Sequence, residues 1–342
     1  MLSSLSLSAS IALFVVGAVV IAIAGTRLSS VSDRLADYTG LGEAIMGAIF
    51  LGAATSLPGI TASVTAAYDG HASMALSNAI GGIAAQMAFL AFADIAYRKA
   101  NLEHAAASVA NMMQGALLIT ILAILMLGMV GPDYAIWGVH PISLVLLVSY
   151  LLGMRLVFHA QEKPMWKPEY TAETRLDVPE QSAQERPSLW GMWGLFAVLA
   201  AVVVMAGWVV TRSAENIAAL TGISESLVGG IMIAVVTSLP ELITSIAAIR
   251  IGALTMAVGG VVGGNVFDTL FAAVADIAYR DGSIYHAATQ RETALVAITM
   301  IMTGVILLGL ICRQKHGFSN IGFESFIVLV LYVIGAALLH YG

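Results

Sequence analysis

Thr55-Ser56-Leu57-Pro58-Gly59 returns later in the chain as Thr237-Ser238-Leu239-Pro240-Glu241, and the constant lag of 182 residues between the copies decides the fold. Working outward from these two sites, residues 39–98 align with 221–280 without a gap, and 24 of the 60 positions are identical. Shared apolar bias does not explain the matches, because they include less common residues. Glu43 pairs with Glu225, Gly81-Gly82 with Gly263-Gly264, and Asp94-Ile95-Ala96-Tyr97-Arg98 with Asp276-Ile277-Ala278-Tyr279-Arg280. Self-similarity at one fixed lag is the mark of a duplicated architecture.

The solvent of that architecture follows from composition. Of 342 residues, 59% are apolar and 11% charged, whereas a soluble domain carries about 25% charged residues. Ten apolar runs, at roughly 8–26, 42–68, 72–97, 108–130, 136–158, 189–211, 223–249, 252–278, 291–311 and 322–340, approach or exceed the ~20 residues that cross a bilayer as a helix. The sequence thus predicts an all-α integral membrane protein of ten transmembrane helices. Each copy holds five spans, an odd number, so the second half enters from the opposite face and the repeat is inverted. The expected divisions are a first five-helix repeat over 1–158, a linker over 159–188 and a second repeat over 189–342. The linker is polar and bears Lys163, Pro164, Pro168, Pro179, Glu180 and Pro187.

Basic residues give the orientation. Arg27, Arg34, Arg98, Lys99, Arg155, Lys163, Lys167, Arg175, Arg186, Arg250, Arg313 and Lys315 fall on one side, and Arg212, Arg280 and Arg291 on the other. By the positive-inside rule the first side, with the linker, is cytoplasmic and both termini are not. No Lys or Arg precedes the first apolar run, so it reads as a retained helix rather than a cleaved signal. The short loops suit a bacterial inner membrane. Trp137, Trp190 and Trp208 near span ends read as interfacial anchors. A single cysteine, Cys312, excludes an internal disulfide framework and a thiolate cluster. No basic stripe with interleaved aromatics argues for nucleic acid.

The repeated motif carries chemistry. Proline inside a span lacks an N–H and frees the carbonyl four residues earlier, here Ala54 and Val236. In hydrocarbon such a group needs protein, water or an ion. The hydroxyls of Thr55, Ser56, Thr237 and Ser238 sit in the same turns. Glu241 follows Pro240 in mid-span, and Asp268 lies near the middle of the next span with Asn265 three residues before it. A charge at helix centre costs about 2.5–3.5 kcal/mol, and no Lys or Arg lies at comparable depth. A bound cation or protons remain as the neutraliser. Two intramembrane acids also suit an aspartyl protease, but their place in a repeat beside proline-freed carbonyls is ion-site chemistry, and no catalytic constellation argues for an enzyme. Asp94/Arg98 and Asp276/Arg280 read as i,i+4 ion pairs at the membrane surface. Glu43 and Glu225 suit helix N-termini. The seven histidines form no ligand spacing, and Gly81-Gly82 with Gly263-Gly264 predict close backbone approach.

On these residues the chain resembles the sodium/calcium exchanger family of the calcium/cation antiporters. The paired Thr-Ser-Leu-Pro motifs look like the centres of that family's two repeats, and Thr237-Ser238-Leu239-Pro240-Glu241 with Asp268 match its second. The resemblance implies a mid-membrane site on spans 2, 3, 7 and 8 centred on Gly59, Gln86, Glu241 and Asp268, with spans 1 and 6 sliding against the rest. This chain departs from the family's glutamate at Gly59, from its asparagine or aspartate at Gln86 and from its serines at Gly82 and Gly264. The expectation is therefore a secondary antiporter exchanging Ca²⁺ for Na⁺ or H⁺ by alternating access. Glu241 and Asp268 are the expected metal ligands, and Thr55, Ser56, Thr237, Ser238, Asn265 and Gln86 the expected neutral oxygens. The partners are lipid and inorganic cations, with no resident cofactor. Exchange of a different or monovalent cation for protons, or a transport-incompetent scaffold, are the alternatives. Gly59→Glu is expected to shift selectivity towards Ca²⁺.

Overall fold

The computed structural model describes residues 5–39, 50, 52–97, 101–162, 164–169, 188–315 and 322–341. The helices named below are α1 (Leu7–Val20), α2 (Thr26–Thr39), α3 (Leu57–Tyr68), α4 (Ala72–Ala96), α5 (Leu102–Ala106), α6 (Val109–Val130), α7 (Pro141–Glu162), α8 (Leu189–Thr221), α9 (Glu225–Leu227), α10 (Ala234–Thr237), α11 (Leu239–Ile251), α12 (Leu254–Asp268), α13 (Leu270–Ala278), α14 (Gln290–Cys312) and α15 (Phe323–Tyr341). Two π-helical turns, Ile21–Gly25 and Val228–Ile233, join α1 to α2 and α9 to α10. Helices dominate because a chain in hydrocarbon must pair its own backbone groups within each segment.

Among the described residues eight helices are long and apolar enough to cross a membrane, and a bent pair, Glu225–Thr237 with Leu239–Arg250, makes up to nine. The remaining expected span, 42–68, is described only in part, since residues 40–49 and 51 lie outside the described residues, as do Glu43, Arg98 and 170–187 of the expected linker. Helix ends carry ordinary signals. Ser6, Ser108 and Ser224 accept N–H bonds as N-caps, and Gly252 closes α11 at φ +84°, a left-handed turn suited to glycine.

The packing is layered around two central helices. The central windows of α4 and of α12 with α13 are 89% and 72% buried, against 22–50% for the other spans. The outer helices expose large apolar side chains in helical stripes, such as Leu144, Leu147 and Leu151 on α7 and Phe326, Val330 and Val333 on α15. Meanwhile Ser56, Ser63, Asn78, Gln86, Asn265 and Asp268 are buried. Apolar outside and polar inside is the distribution that lipid selects, the reverse of the soluble rule.

The halves grip each other reciprocally. Asp94 accepts from Leu102 N (2.7 Å), Ser325 Oγ (2.8 Å) and Gly322 N (3.4 Å). Asp276, its repeat partner, accepts from Ile284 N (3.1 Å), Ser143 Oγ (2.7 Å) and His140 N (2.7 Å). Ser143 and Ser325, like His140 and Gly322, again stand 182 residues apart, so each half's aspartate caps the last span of the other. This corrects the expected Asp276/Arg280 ion pair. Asp276 is fully buried and turned inward, while Arg280 is exposed. Three convergent donors give the carboxylate better compensation than one flexible arginine at a wet surface.

Candidate functional site

Both motifs break their helix at the serine. Ser56 (φ −85°, ψ 4°) precedes α3 and Ser238 (φ −93°, ψ 4°) separates α10 from α11, with Pro58 and Pro240 in the first turns that follow. A proline cannot donate to the preceding turn, so the helix restarts there. In the second half the two pieces meet at 45°. The breaks turn the serine side chains inward, and both are buried.

There the two repeats meet. Ser56 Oγ donates to Asp268 Oδ1 at 2.5 Å, and Gln86 Nε2 donates to Asp268 Oδ2 at 2.7 Å and, at 3.5 Å, to Ser238 Oγ. Ser56–Asp268 and Ser238–Gln86 are the same contact seen from each half. Asp268 comes from the end of α12, and Thr269, with helical backbone angles, carries the span on into α13. Glu241, on the first turn of α11, is half-buried and near enough to Asp268 to feel its charge. Tyr150 stands edge-on to Phe267, ring centres 5.7 Å apart, one residue from Asp268.

Several buried polar atoms here have no hydrogen-bond partner among the described residues: Glu241 Oε2, Gln86 Oε1, and both Oδ1 and Nδ2 of Asn265. Leaving such an atom unpaired costs about 1–3 kcal/mol, so each of these atoms is open to a polar partner. A Cβ at Gly264 would lie 3.9 Å from Gln86 Oε1, and one at Gly82 3.6 Å from Ser238 Oγ, so these glycines leave room beside the group. Gly81 instead gives the close approach expected of it, with its Cβ position running into the backbone of Gly230. The donor set, carboxylate and amide oxygens without a soft ligand, fits a hard cation.

Of the expected site residues, Ser56, Gln86, Ser238 and Asp268 are joined in one hydrogen-bonded group. Thr55 Oγ1 and Thr237 Oγ1 turn back to the carbonyls of Gly52 (3.2 Å) and Ala234 (3.3 Å). Asn78 is a residue that sequence reasoning missed. It donates to Gly59 O (3.1 Å) and Ser63 Oγ (2.8 Å) and accepts from Thr237 Oγ1 (3.4 Å). Its signal was an amide inside an apolar span, in the second turn of α4, where the repeat partner is Gly260. Gly59 also differs from expectation. A Cβ there would meet Phe271 Cε2 at 2.5 Å, so Gly59→Glu alone cannot place a carboxylate without displacing that ring.

Away from this centre, His71 Nδ1 contacts Glu225 Oε1 at 2.8 Å across the halves, while Arg212 binds Asp69 and Glu215 nearby. Hydrogen bonding to Glu225 raises the His71 pKa above its ordinary value, against the opposing pull of partial burial.

A family model described as sodium/calcium exchanger protein matches residues 9–158 and 190–340. An uncharacterized membrane protein of Methanocaldococcus jannaschii is 24% identical over 318 residues, spanning 91% of each chain. Among solved structures, the H⁺/Ca²⁺ exchanger CAX superposes with a TM-score of 0.67 at 12% identity, over 96% of this chain and 85% of that one. The sodium-calcium exchanger NCX_Mj gives 0.57 at 20% identity, over 97% and 99%. At these identities the structural likeness is one of fold.

Proposed function

Because this chain belongs to the sodium/calcium exchanger protein family, we propose that it is a secondary antiporter that exchanges cations across a membrane by alternating access, with Glu241 and Asp268 as the charged ligands of the transported ion. Ca²⁺ exchanged for Na⁺ or H⁺ is the reading the chemistry favours, since one Glu and one Asp together balance one divalent ion. Gln86, Ser56, Ser238 and Asn265 supply neutral groups around it, with Thr55 and Thr237 in the same turns. The linker lies on the cytoplasmic side and both termini on the other in this reading, which the distribution of basic residues supports.

The observation that carries this reading is the unpartnered Glu241 Oε2 and Gln86 Oε1 beside a fully engaged Asp268. Each is an oxygen held out of water with no donor of its own among the described residues, which a cation satisfies and an apolar partner does not. A specific observation keeps a second reading in play. The first half gives Gly59 and Gln86 where the second gives Glu241 and Asp268, and a site with two acids also accepts monovalent cations or protons.

Isotope flux in proteoliposomes, driven in turn by Na⁺ and by pH gradients, decides between them. Calcium-45 uptake under either gradient is the expected result, and the effective gradient names the counter-ion. Uptake of a monovalent cation under a pH gradient alone would establish the second reading. Movement of no cation under either gradient would overturn antiport.

A further inference from the structure

The repeat places Gly59 where the second half has Glu241, and the space that a side chain at Gly59 would enter is filled. A Cβ on Gly59 would come within 2.5 Å of Phe271 Cε2, 3.1 Å of Cζ and 3.4 Å of Cδ2. Phe271 is 5% exposed. It sits in α13 three residues beyond Asp268, and Thr269 between them keeps helical backbone angles, so both project from the same side of the α12–α13 span. The ring therefore lies over Gly59 on the wall of the site that the first half would otherwise supply with a carboxylate. Gly59 also gives its carbonyl to Asn78 Nδ2 at 3.1 Å, which fixes the backbone beneath the ring. Glycine and phenylalanine fit as a pair: the absent Cβ makes room for the ring edge, and the ring fills the void that the absent side chain leaves.

We infer that Phe271 is a specificity-determining residue, an apolar plug seated on Gly59 that excludes a third carboxylate and limits the site to the charge of Glu241 and Asp268. This rests on the proposed cation site and says which residue sets its capacity. An ion held there has two acids on one side and an aromatic ring edge on another, so it completes its shell with neutral oxygens or water. The six to eight oxygens that calcium prefers are then harder to assemble from protein alone, and affinity falls with the number of charged ligands.

The steric and the electrostatic halves of the inference separate by variant, all in the full chain reconstituted in nanodiscs. For packing, thermal melting of Gly59→Ala, Phe271→Ala and the double variant forms a cycle. Gly59→Ala alone is expected to destabilise, and the loss is expected to shrink or vanish when Phe271 is already alanine. Additive effects would overturn the contact. For specificity, equilibrium calcium-45 binding is compared for the wild type, Phe271→Ala, Gly59→Glu and Gly59→Glu/Phe271→Ala. The double variant is expected to bind at least ten-fold more tightly than Phe271→Ala, and Gly59→Glu alone no more tightly than the wild type. A single Gly59→Glu that binds as tightly as the double, or a double that binds no more tightly than Phe271→Ala, would overturn the plug while leaving the antiporter reading intact. Wild type that neither binds nor carries any cation would instead remove the cation site itself, and the inference with it.

Discussion

Gln86 and Asp268 hold the same position in the two repeats, and the amide of one donates to the carboxylate of the other at 2.7 Å. A residue touches its own repeat partner only on the axis relating the halves, so this bond marks the centre of the molecule. The neutrality of Gln86 is what permits the contact, because two carboxylates at that separation cannot both ionise without a proton or cation between them. Gln86→Glu is therefore expected to make cation transport more pH-dependent than it is in the wild type. Flux measured against pH in proteoliposomes checks this, and a profile that coincides with the wild type would show that the pair does not face the transported ion.

Glu241→Gln and Asp268→Asn are both expected to reduce cation flux by at least a hundred-fold, yet their stabilities should differ. Asp268 accepts two side-chain hydrogen bonds in a buried site, and an asparagine there keeps the bond from Gln86 only as a neutral one and must turn its NH₂ on the Ser56 hydroxyl, so both bonds lose their charge-assisted strength. That loss is worth about 1–2 kcal/mol. Glu241 has no such partner at Oε2, so its amide variant should melt close to the wild type. Flux with melting on the same preparations tests both. Full transport in either variant would remove that residue from the site.

The legible part of this protein was the part written twice. Thr55–Pro58 and Thr237–Pro240 announced the helix breaks, and the missing base near Glu241 and Asp268 is what motivates the proposed cation, because both are features of local sequence and its repetition. What stayed hidden depends on partners far along the chain. Asp276 reads as an i,i+4 partner of Arg280 until the fold brings Ser143 and His140 to it from 133 and 136 residues away. Phe271 reads as one more apolar residue in a span, since nothing in its neighbours says that its ring faces Gly59. Asn78 reads as one amide in an apolar run, and the groups it joins are set by packing.

The reciprocal capping by Asp94 and Asp276 should matter to stability and not to ion choice. Each is buried and takes three donors, two of them backbone N–H groups: Leu102 and Gly322 for Asp94, at or just before helix starts, and His140, just before α7, with the turn residue Ile284 for Asp276. Asp276→Asn keeps one acceptor and sets an NH₂ against the remaining donors, at a cost of about 1–3 kcal/mol. The expected result is a lower melting temperature with the wild-type order of cation preference. A changed preference at unchanged stability would place Asp276 in the transport path instead.

The His71–Glu225 pair ties the start of α4 to α9 and makes a pH prediction. Its folded pKa is raised, chiefly by the hydrogen bond to Glu225, with Glu215 and Asp69 adding in the same sense. The pair's contribution is therefore complete below the ordinary histidine value of about 6.5 and disappears as pH climbs through the folded value. Ring-carbon NMR of histidine-labelled protein should give His71 an inflection above that ordinary value, moving down in Glu225→Gln. An inflection that Glu225→Gln leaves in place would mean that the carboxylate is not the cause.

Gly25 and Gly207 extend the 182-residue symmetry to the outer helices, where each rests on the proline that breaks a site helix. A Cβ at Gly25, at the end of the π-helical turn after α1, would lie 2.5 Å from Pro240 Cγ. One at Gly207 on α8 would lie 3.2 Å from both Pro58 O and Thr61 Cβ. The two outer helices also pack on each other, with the Cβ position of Gly17 pressed on Val210 Cγ2 at 2.6 Å. Any sliding of these helices must pass over the prolines, and glycine keeps those surfaces smooth. The contacts are unequal. A pyrrolidine ring cannot rotate aside, so Gly25→Ala forces a backbone shift costing about 1–3 kcal/mol, whereas Gly207→Ala needs only a few tenths of an ångström. Gly25→Ala should then lower the melting temperature and slow flux more than Gly207→Ala does, with ion preference unchanged in both. Equal behaviour of the two variants would show that the Gly25–Pro240 contact is not what the outer helix must clear.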